Sequence, residues 1–225
     1  RTKEILENFA KTHNRFKVLS LPIDLPPIES PKKRALESAF KIAKNDILLT
    51  IDADCIPKKS WITSMAGRFV DGIAIVQGPK QNNGSRTMPH LYQKLETLGY
   101  TAMEAAGFSF GHPLVASAAC LAYKKELFFA VGGFGDLVHL SSGDDDMLIH
   151  KMLKIPGTKV CYNLDKDAVI ETAPVHTWKA LFNQRARWSS NGTNYESLWY
   201  VFLLTLIYTY YVWMFLSPWF VLFFD

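Results

Sequence analysis

The stretch DILLTIDAD, residues 46–54, joins a short run of apolar residues to two aspartates. The run 46–51 is apolar after its first residue apart from Thr50, which is typical of a strand buried on both faces in a parallel sheet. Ligands of such sheets bind beyond the carboxyl ends of the strands, where Asp52 and Asp54 follow. Two carboxylates there can reach one hard cation and its phosphates, although a polar loop would have the same residues.

Helical and strand patterns alternate on both sides of this stretch. We predict helices and strands at the following positions: helices from Ser30-Pro31 to Asn45, over 61–70, over 88–106, before Gly132-Gly133 and over about 144–154, and strands over 73–77, 158–162 and 168–171. The segment ASAACLAY (116–123) lies between two of the helices. Alternating strands and helices predict a layered α/β domain.

Composition excludes several classes of protein. The chain has 225 residues, of which 48% are hydrophobic, with a net charge of +4 and three cysteines. That length suits one domain, or one domain with an appendage, and the aromatic content excludes a disordered or collagen-like chain. The three cysteines form neither a disulfide framework nor a CxxC zinc motif. The charge is too small to indicate nucleic acid as a partner.

The C-terminal segment differs from the rest, because residues 198–224 contain no charged side chain. A helix of this length would measure ~40 Å, enough to cross a bilayer core of ~30 Å. Trp199, Tyr200 and Trp219 fit the aromatic belts of a membrane span, and Pro218 could kink the helix. We therefore predict a C-terminal transmembrane helix, with a buried core helix as the alternative.

This asymmetry predicts the domain organisation and the orientation. We expect a catalytic domain over 1–197 and a transmembrane segment over 198–225. Basic residues precede the apolar segment and none follows it, which by the positive-inside rule predicts a cytoplasmic domain. The chain begins at Arg1 without a signal peptide and ends one residue after the apolar run, so we expect a piece of a longer membrane protein, trimmed at both ends.

The sequence SGDDD, residues 142–146, crowds three carboxylates at the predicted start of a helix. Like charges in one place raise the pKa of at least one carboxyl, which suits a general base. Alternatively, acids in the first turn of a helix stabilise it through the helix dipole. His150, one turn beyond, is interpreted as a surface or packing histidine rather than a ligand.

The sequence QRARW, residues 184–188, is predicted to lie on a helix that begins at Thr177. Gln184, Arg187 and Trp188 have the spacing of one helical face, whereas Arg185 is expected to point elsewhere. An amide, a guanidinium and an indole together can hold a diphosphate and stack on a sugar ring. The alternative is an amphipathic helix at a membrane surface.

In this order, a strand ending in DAD, GDDD opening a helix and QRARW before an apolar segment, the chain resembles family 2 glycosyltransferases. It is most similar to the membrane-bound branch with the D, D, D, QxxRW signature, which includes cellulose, hyaluronan and poly-N-acetylglucosamine synthases and ceramide glucosyltransferases. The resemblance implies the GT-A nucleotide-diphospho-sugar transferase fold, a Rossmann-like mixed sheet with helices on both faces. The fold would here be N-terminally truncated, with its first strand upstream of Arg1.

The resemblance also assigns roles to individual residues. It implies that Asp52 contacts the nucleotide or the metal, that Asp54 coordinates the metal and that Asp145 is the general base. The expected substrate-binding residues are Lys32 and Asp52 near the nucleotide, Asp144 where the family often has Glu, and Gln184, Arg187 and Trp188 for the donor diphosphate and the acceptor. Pro31 stands where the family usually has Gly, and Ala118-Ala119-Cys120 stands where it often has a GAN-like sequence.

The resemblance therefore implies an inverting glycosyltransferase. It would use Mg²⁺ or Mn²⁺ to move a sugar from a nucleotide-sugar to a saccharide or lipid acceptor. The expected nucleotide is UDP. The expected location is the inner (plasma) membrane with the catalytic domain in the cytoplasm, and nucleic acid is not an expected partner. Two alternatives stay open: a metal-dependent nucleotidyltransferase and a non-catalytic, membrane-anchored binding module.

Overall fold

The computed structural model describes residues 1–21, 30–84, 87–140 and 143–189, and residues 201–202, 205–206, 208–210 and 212–213. The helices are α1 Thr2–Thr12, α2 Pro31–Ile42, α3 Trp61–Ala66, α4 Met88–Ser109, α5 Lys125–Ala130, α6 Asp146–Leu153 and α7 Trp178–Ser189. The strands are β1 Ile47–Thr50, β2 Cys55–Pro57, β3 Ile73–Gln77, β4 Lys80–Asn82, β5 Leu121–Lys124, β6 Lys159–Tyr162 and β7 Ile170–Thr172.

The strands form two mixed sheets. The larger sheet has the order β1-β5-β3-β6, in which β5 is antiparallel to β1 and β3, and β6 is parallel to β3. The smaller sheet has the order β2-β7-β4, in which β7 is antiparallel to β2 and parallel to β4. The prediction of a layered α/β domain is confirmed, and the mixed sheet agrees with the fold that the resemblance implied.

The pairing of β1 differs from the prediction of a parallel strand. The run 47–50 is a strand, but its described partner is the antiparallel β5. Leu48 is buried, whereas Ile47 and Leu49 are only partly buried. An apolar run shows that both faces of a strand are covered, but it carries no information on the direction of the neighbouring strand, and this is why the prediction was wrong.

Two apolar clusters cover the two faces of the larger sheet. On β3, Ile75 belongs to the first core cluster and the next residue, Val76, to the second. Side chains of a strand alternate between faces, so β3 packs on both sides. The first core cluster takes residues from α2, α4, α5 and α6, and the second takes Trp61 and Met65 from α3. Each fully buried large apolar side chain contributes about 1.5–3 kcal/mol.

Gly78 lies where the chain passes from the larger sheet to the smaller one. A Cβ at this position would lie 2.5 Å from the Cys120 sulfur, 3.1 Å from the Met65 sulfur and 3.2 Å from the Ala168 carbonyl oxygen. Only glycine therefore lets β3 continue into β4 through the second core cluster. This passage brings Lys80, the first residue of β4, to the edge of the site.

Several predicted boundaries shift by a few residues. The helix predicted over 88–106 extends to Ser109, and the one predicted from 144 begins at Asp146. Helix α1 and strands β2 and β4 were not predicted. No described helix is both apolar enough and long enough to span a bilayer, and most of the predicted membrane segment 198–224 lies outside the described residues.

Candidate functional site

Strand β1 delivers Asp52 and Asp54 to one end of the larger sheet. The Thr50 hydroxyl, at the end of β1, donates to the carbonyl oxygens of Ala118 (2.9 Å) and Leu121 (3.2 Å). The amide of Cys55 donates to the carbonyl oxygen of Asp52 at 3.0 Å, so the two aspartates lie on a tight turn between β1 and β2.

The residues on this turn fit a divalent cation. Carboxylate oxygens of Asp52 and Asp54 and the sulfur of Cys55 lie within 4.8 Å of one another. Burial, followed by the charges of Asp54 and Asp52, raises the pKa of Cys55 to about 12, so its thiol is neutral at physiological pH. The two carboxylates are thus the donors that suit Mg²⁺ or Mn²⁺, which prefer oxygen. Cys55 was not predicted as a site residue, although it adjoins the DAD motif.

Lys32 links the two acidic motifs. Its ammonium lies 2.8 Å from an Asp52 oxygen and 2.7 Å from an Asp144 oxygen. Burial by itself would lower the pKa of Lys32, but Asp144 and Asp52 raise it above its ordinary value, so the side chain is charged. Pro31 at the first helical position of α2 therefore does not prevent Lys32 from reaching the site.

Asp145 is the cap of α6. One carboxylate oxygen accepts a hydrogen bond from the amide of Asp146 at 3.0 Å, and the other accepts from the amide of Ala118 at 3.3 Å. Burial, followed by the charge of Asp146, raises the pKa of Asp145 to about 7. Asp145 therefore caps the helix, and its raised pKa is one that would suit a general base.

Two further side chains support the acidic loop. Lys33 is fully buried and donates to the carbonyl oxygens of Leu137 (2.5 Å) and Leu140 (3.0 Å), which fixes the turn before residues 143–146. A His150 ring nitrogen lies 3.0 Å from the Pro113 carbonyl oxygen, and burial lowers the pKa of this histidine. These contacts confirm that His150 is a packing residue.

Helix α7 packs on α4 through a different face from the one predicted. The Arg185 guanidinium donates to both carboxylate oxygens of Glu96 and lies 4.2 Å from the Trp188 ring centroid. It also donates to the Gln184 side-chain oxygen at 2.6 Å. Arg187 is exposed. The expectation that Arg185 points elsewhere is wrong. One face of α7 carries Leu181, Gln184, Arg185 and Trp188, and the ion pair of Arg185 with Glu96 turns this face toward α4.

The start of α7 agrees with the prediction. The amide of Ala180 donates to the Thr177 hydroxyl oxygen at 3.2 Å, so Thr177 begins the helix. The Trp188 indole, 36% exposed, contacts the Tyr100 ring edge-on at a centroid distance of 6.3 Å. Gln184 and Trp188 thus lie together beside α4.

Three residues of this region, Lys80, Ser117 and Glu104, were not predicted as part of the site. The Lys80 ammonium lies 5.6 Å from the Trp188 ring centroid and donates to the Ser117 hydroxyl at 2.9 Å. Glu104, on α4, is 2% exposed. Burial raises the pKa of Glu104 to about 7, Lys80 lowers it and Asp145 raises it. Polar residues recur along α4 at the spacing of one helical face, and this pattern is the signal that could have identified Glu104.

The contacts run in one order across the site. A chain of contacts and of neighbouring residues leads from the turn with Asp52 through the acidic loop to α7. Its members are, in order, Asp52, Lys32, Asp144, Asp145, Ala118, Ser117, Lys80, Trp188 and Arg185. All the predicted site residues except Arg187 lie on this line or adjoin it. A carboxylate pair that could hold a cation at one end, a carboxylate with a raised pKa in the middle and an aromatic ring at the other end suit a group transfer between two substrates.

Comparison of the sequence with protein families gives one match. The sequence model described as "Glycosyltransferase like family 2" matches residues 2–191. Among curated proteins, none matches the sequence significantly.

One of two similar solved structures shares the fold. The mannosyltransferase PcManGT from Pyrobaculum calidifontis, in complex with GDP-Man and Mn²⁺, has 19% identity and a TM-score of 0.59 over 84% of this chain and 48% of its own. Glucosyl-3-phosphoglycerate synthase from Mycobacterium tuberculosis, in complex with Mn²⁺ and UDP-glucose, has 19% identity and a TM-score of 0.38 over 72% of this chain and 52% of its own. The chain thus spans about half the length of these structures.

Proposed function

The chain belongs to the glycosyltransferase family 2, and from this membership we propose that it transfers a sugar from a nucleoside diphosphate sugar to a hydroxyl group of a saccharide or lipid acceptor, with inversion. The observation that carries the proposal is the position of Asp145, a carboxylate held by the Ala118 amide and followed in the contacts by Asp144, Lys32 and the pair that suits a cation. UDP is the nucleotide we expect. GDP is the second candidate, because PcManGT was solved with GDP-Man.

In the proposed reaction, Asp145 takes the proton of the acceptor hydroxyl. The acceptor oxygen then forms a bond to the anomeric carbon as the bond from that carbon to the diphosphate oxygen breaks. One displacement inverts the anomeric centre, and the nucleoside diphosphate leaves. A carboxyl pKa near the working pH makes Asp145 an effective base, because the ionised form is populated and still basic.

The donor is proposed to bind at the end of the site that contains Asp52. Asp52 and Asp54 would hold Mg²⁺ or Mn²⁺, which supplies positive charge to a diphosphate leaving group when bound. Lys32 lies beside them and adds a second positive charge, while Asp144 keeps it in place. Gln184 and Trp188 are assigned to the acceptor side, and Arg187, exposed on α7, remains the candidate for the donor diphosphate.

The test is Asp145→Asn in the full-length protein, with labelled UDP-glucose, UDP-N-acetylglucosamine and GDP-mannose as donors and Mg²⁺ or Mn²⁺ present. We expect sugar transfer to fall by about 10²–10⁴-fold, because the amide cannot accept the proton. Donor binding should persist. Exposed Asp136→Asn is the control. Unchanged transfer in Asp145→Asn would contradict the assignment of the base, and release of pyrophosphate would indicate a nucleotidyltransferase.

We also propose that α4 and α7 face a membrane. Buried positions of α4 are polar, such as His90, Gln93 and Glu104, while its exposed positions carry large apolar side chains. The exposed large apolar residues on the two helices are Met88, Leu91, Tyr92, Leu95, Leu98, Met103, Trp178, Phe182 and Trp188. This reversal of the usual helix pattern suits an apolar environment, and exposed Lys94 and Lys179 suit anionic headgroups.

This membrane proposal includes the predicted span over 198–224 and a catalytic domain on the cytoplasmic side of the inner membrane. Flotation of residues 1–197, without the predicted span, with vesicles of anionic lipid tests the helix surface. The double variant Leu95→Glu, Leu98→Glu should float less than the wild type and less than Ile62→Glu, which changes an exposed side chain on α3. Equal flotation of all three proteins would contradict a role of α4 at the membrane.

A further inference from the structure

Lys80 is a half-buried cation that the reaction described above does not use. Its ammonium donates to the Ser117 hydroxyl at 2.9 Å and faces the Trp188 ring at 5.6 Å. Lys carries three N–H donors, and Ser117 occupies one. Among the residues that the structure describes, no carboxylate forms a contact ion pair with Lys80. The side chain therefore retains hydrogen-bonding capacity toward a ligand.

The position of Lys80 relative to the base indicates which substrate it meets. The Ser117 backbone continues into Ala118, whose amide binds Asp145. On the other side of Asp145 lie Asp144 and Lys32, which lead to Asp52. A base must contact the acceptor hydroxyl, so the acceptor lies next to Asp145. Lys80 and the Trp188 ring are then on the side of the base away from the cation-binding turn.

The surroundings hold Lys80 in place. The Gln77 side chain donates to the Ser117 carbonyl oxygen at 3.3 Å and accepts from the Ser117 amide at 3.2 Å, which fixes the partner of Lys80. The Thr101 hydroxyl donates to the Lys80 carbonyl oxygen at 3.4 Å. Glu104 lies close enough to Lys80 for the two charges to interact. As a buried carboxyl with a raised pKa, however, Glu104 is only partly ionised near neutral pH. The positive charge of Lys80 is therefore only partly compensated.

We propose that Lys80 binds an anionic group of the acceptor, a phosphate or a carboxylate, while the adjacent Trp188 ring contacts the sugar or lipid part. This inference rests on the proposed function, because it takes Asp145 to mark the acceptor side. A half-buried ammonium binds an oxyanion more strongly than a neutral hydroxyl, since the hydrogen bond is charge-assisted. The donor diphosphate is the other possible source of an oxyanion, and the experiments separate the two.

The first experiment measures transfer to matched acceptors by the full-length protein. Methyl glucuronide is compared with methyl glucoside, and a prenyl phosphate with its alcohol, for the wild type, Lys80→Met, Lys80→Arg and the control Lys41→Met. Lys41 lies in the last turn of α2 and pairs with Glu37. We expect Lys80→Met to raise KM for the anionic acceptor about tenfold or more, to change KM for the neutral one little, and Lys80→Arg to restore most of the loss.

The outcomes of this first experiment are distinct. Equal losses with anionic and neutral acceptors, or no loss with either, would overturn the inference. Calorimetry with UDP or GDP and Mn²⁺ tests whether Lys80 contacts the donor. We expect the Lys80→Met variant to bind the nucleotide with the same affinity as the wild type. A tenfold weaker affinity for the nucleotide would assign Lys80 to the donor instead. Thermal unfolding of each variant shows whether a loss comes from misfolding.

The second experiment needs no transferase activity, so it separates failure of the inference from failure of the proposed function. The rate of acetylation of Lys80 is measured by mass spectrometry with and without inorganic phosphate or glucuronate as the probe. We expect either anion to slow acetylation of Lys80 several-fold and to leave Lys41 unchanged. Equal rates with and without the anions would overturn the inference even if the protein proves to be an active glycosyltransferase. Absence of transfer with protection of Lys80 would contradict only the proposed function.

Discussion

At the scale of single residues, neighbouring aspartates of the acidic cluster make different contacts. Asp144 is 7% exposed and pairs with Lys32, while Asp145 is held by two backbone amides. The burial of each carboxyl raises its pKa, and Lys32 offsets part of that effect at Asp144 only. The sequence identified the cluster, but three consecutive aspartates look alike until their neighbours are known.

The raised pKa of Asp145 predicts how activity depends on pH. As the proposed base, Asp145 must be ionised, and burial raises its pKa from the ordinary 3.8 to about 7. The value of kcat/KM should therefore rise with pH, by about tenfold per unit below the pKa, and level off above it. Initial rates between about pH 5 and pH 9 at constant ionic strength measure this profile. A profile that is level between about pH 5 and pH 7 would show that another group is the base.

At the scale of secondary-structure elements, the contact between α4 and α7 positions the QRARW motif. Arg185 and Glu96 are 19% and 23% exposed, and their bidentate pair lies against Trp188. The helix period predicted α7, and the tertiary partner selected its buried face. Gln93 adds to this contact, since its side-chain oxygen accepts from the Val175 amide at 2.9 Å just before the helix.

A double-mutant cycle tests this contact. Arg185→Ala and Glu96→Ala should each destabilise the protein, and their coupling energy should reach about 1–3 kcal/mol because the pair is bidentate and largely shielded from water. The exposed Lys3–Glu7 pair on α1 is the control, with a coupling of at most ~0.5 kcal/mol. Urea unfolding of the four proteins of each cycle gives both values. Equal coupling in the two cycles would mean that Arg185 does not hold α7.

At the scale of the whole molecule, two sheets share the second core cluster, and the site lies where the chain passes between them. Trp61 donates to the Cys120 sulfur at 3.3 Å, and that sulfur donates to the Ala168 carbonyl oxygen at 3.3 Å. Gly78 passes through this group of atoms before the chain reaches Lys80. The packing of the two sheets thus sets the position of a residue in the site.

Gly78→Ala tests this dependence. The added methyl would lie 2.5 Å from the Cys120 sulfur, so the variant should lose about 1–3 kcal/mol of stability through overpacking. Gly99→Ala is the control, because a Cβ there meets nothing within 4 Å and α4 should gain about 0.5–1 kcal/mol. Thermal unfolding of both variants and of the wild type measures these changes in stability. A Gly78→Ala protein as stable as the wild type would show that the passage is not tightly packed.

The sequence by itself determined the α/β class, most of the elements, the two acidic motifs and the start of α7. These features depend on local properties: periodicity of apolar residues, capping residues and adjacent charges. The tertiary structure alone decided the antiparallel pairing of β1, the inward face of α7 and the placement of Lys80, Glu96 and Glu104 beside the motifs. Strand direction and the choice of a helix face depend on partners far along the chain, and a local pattern does not encode those partners.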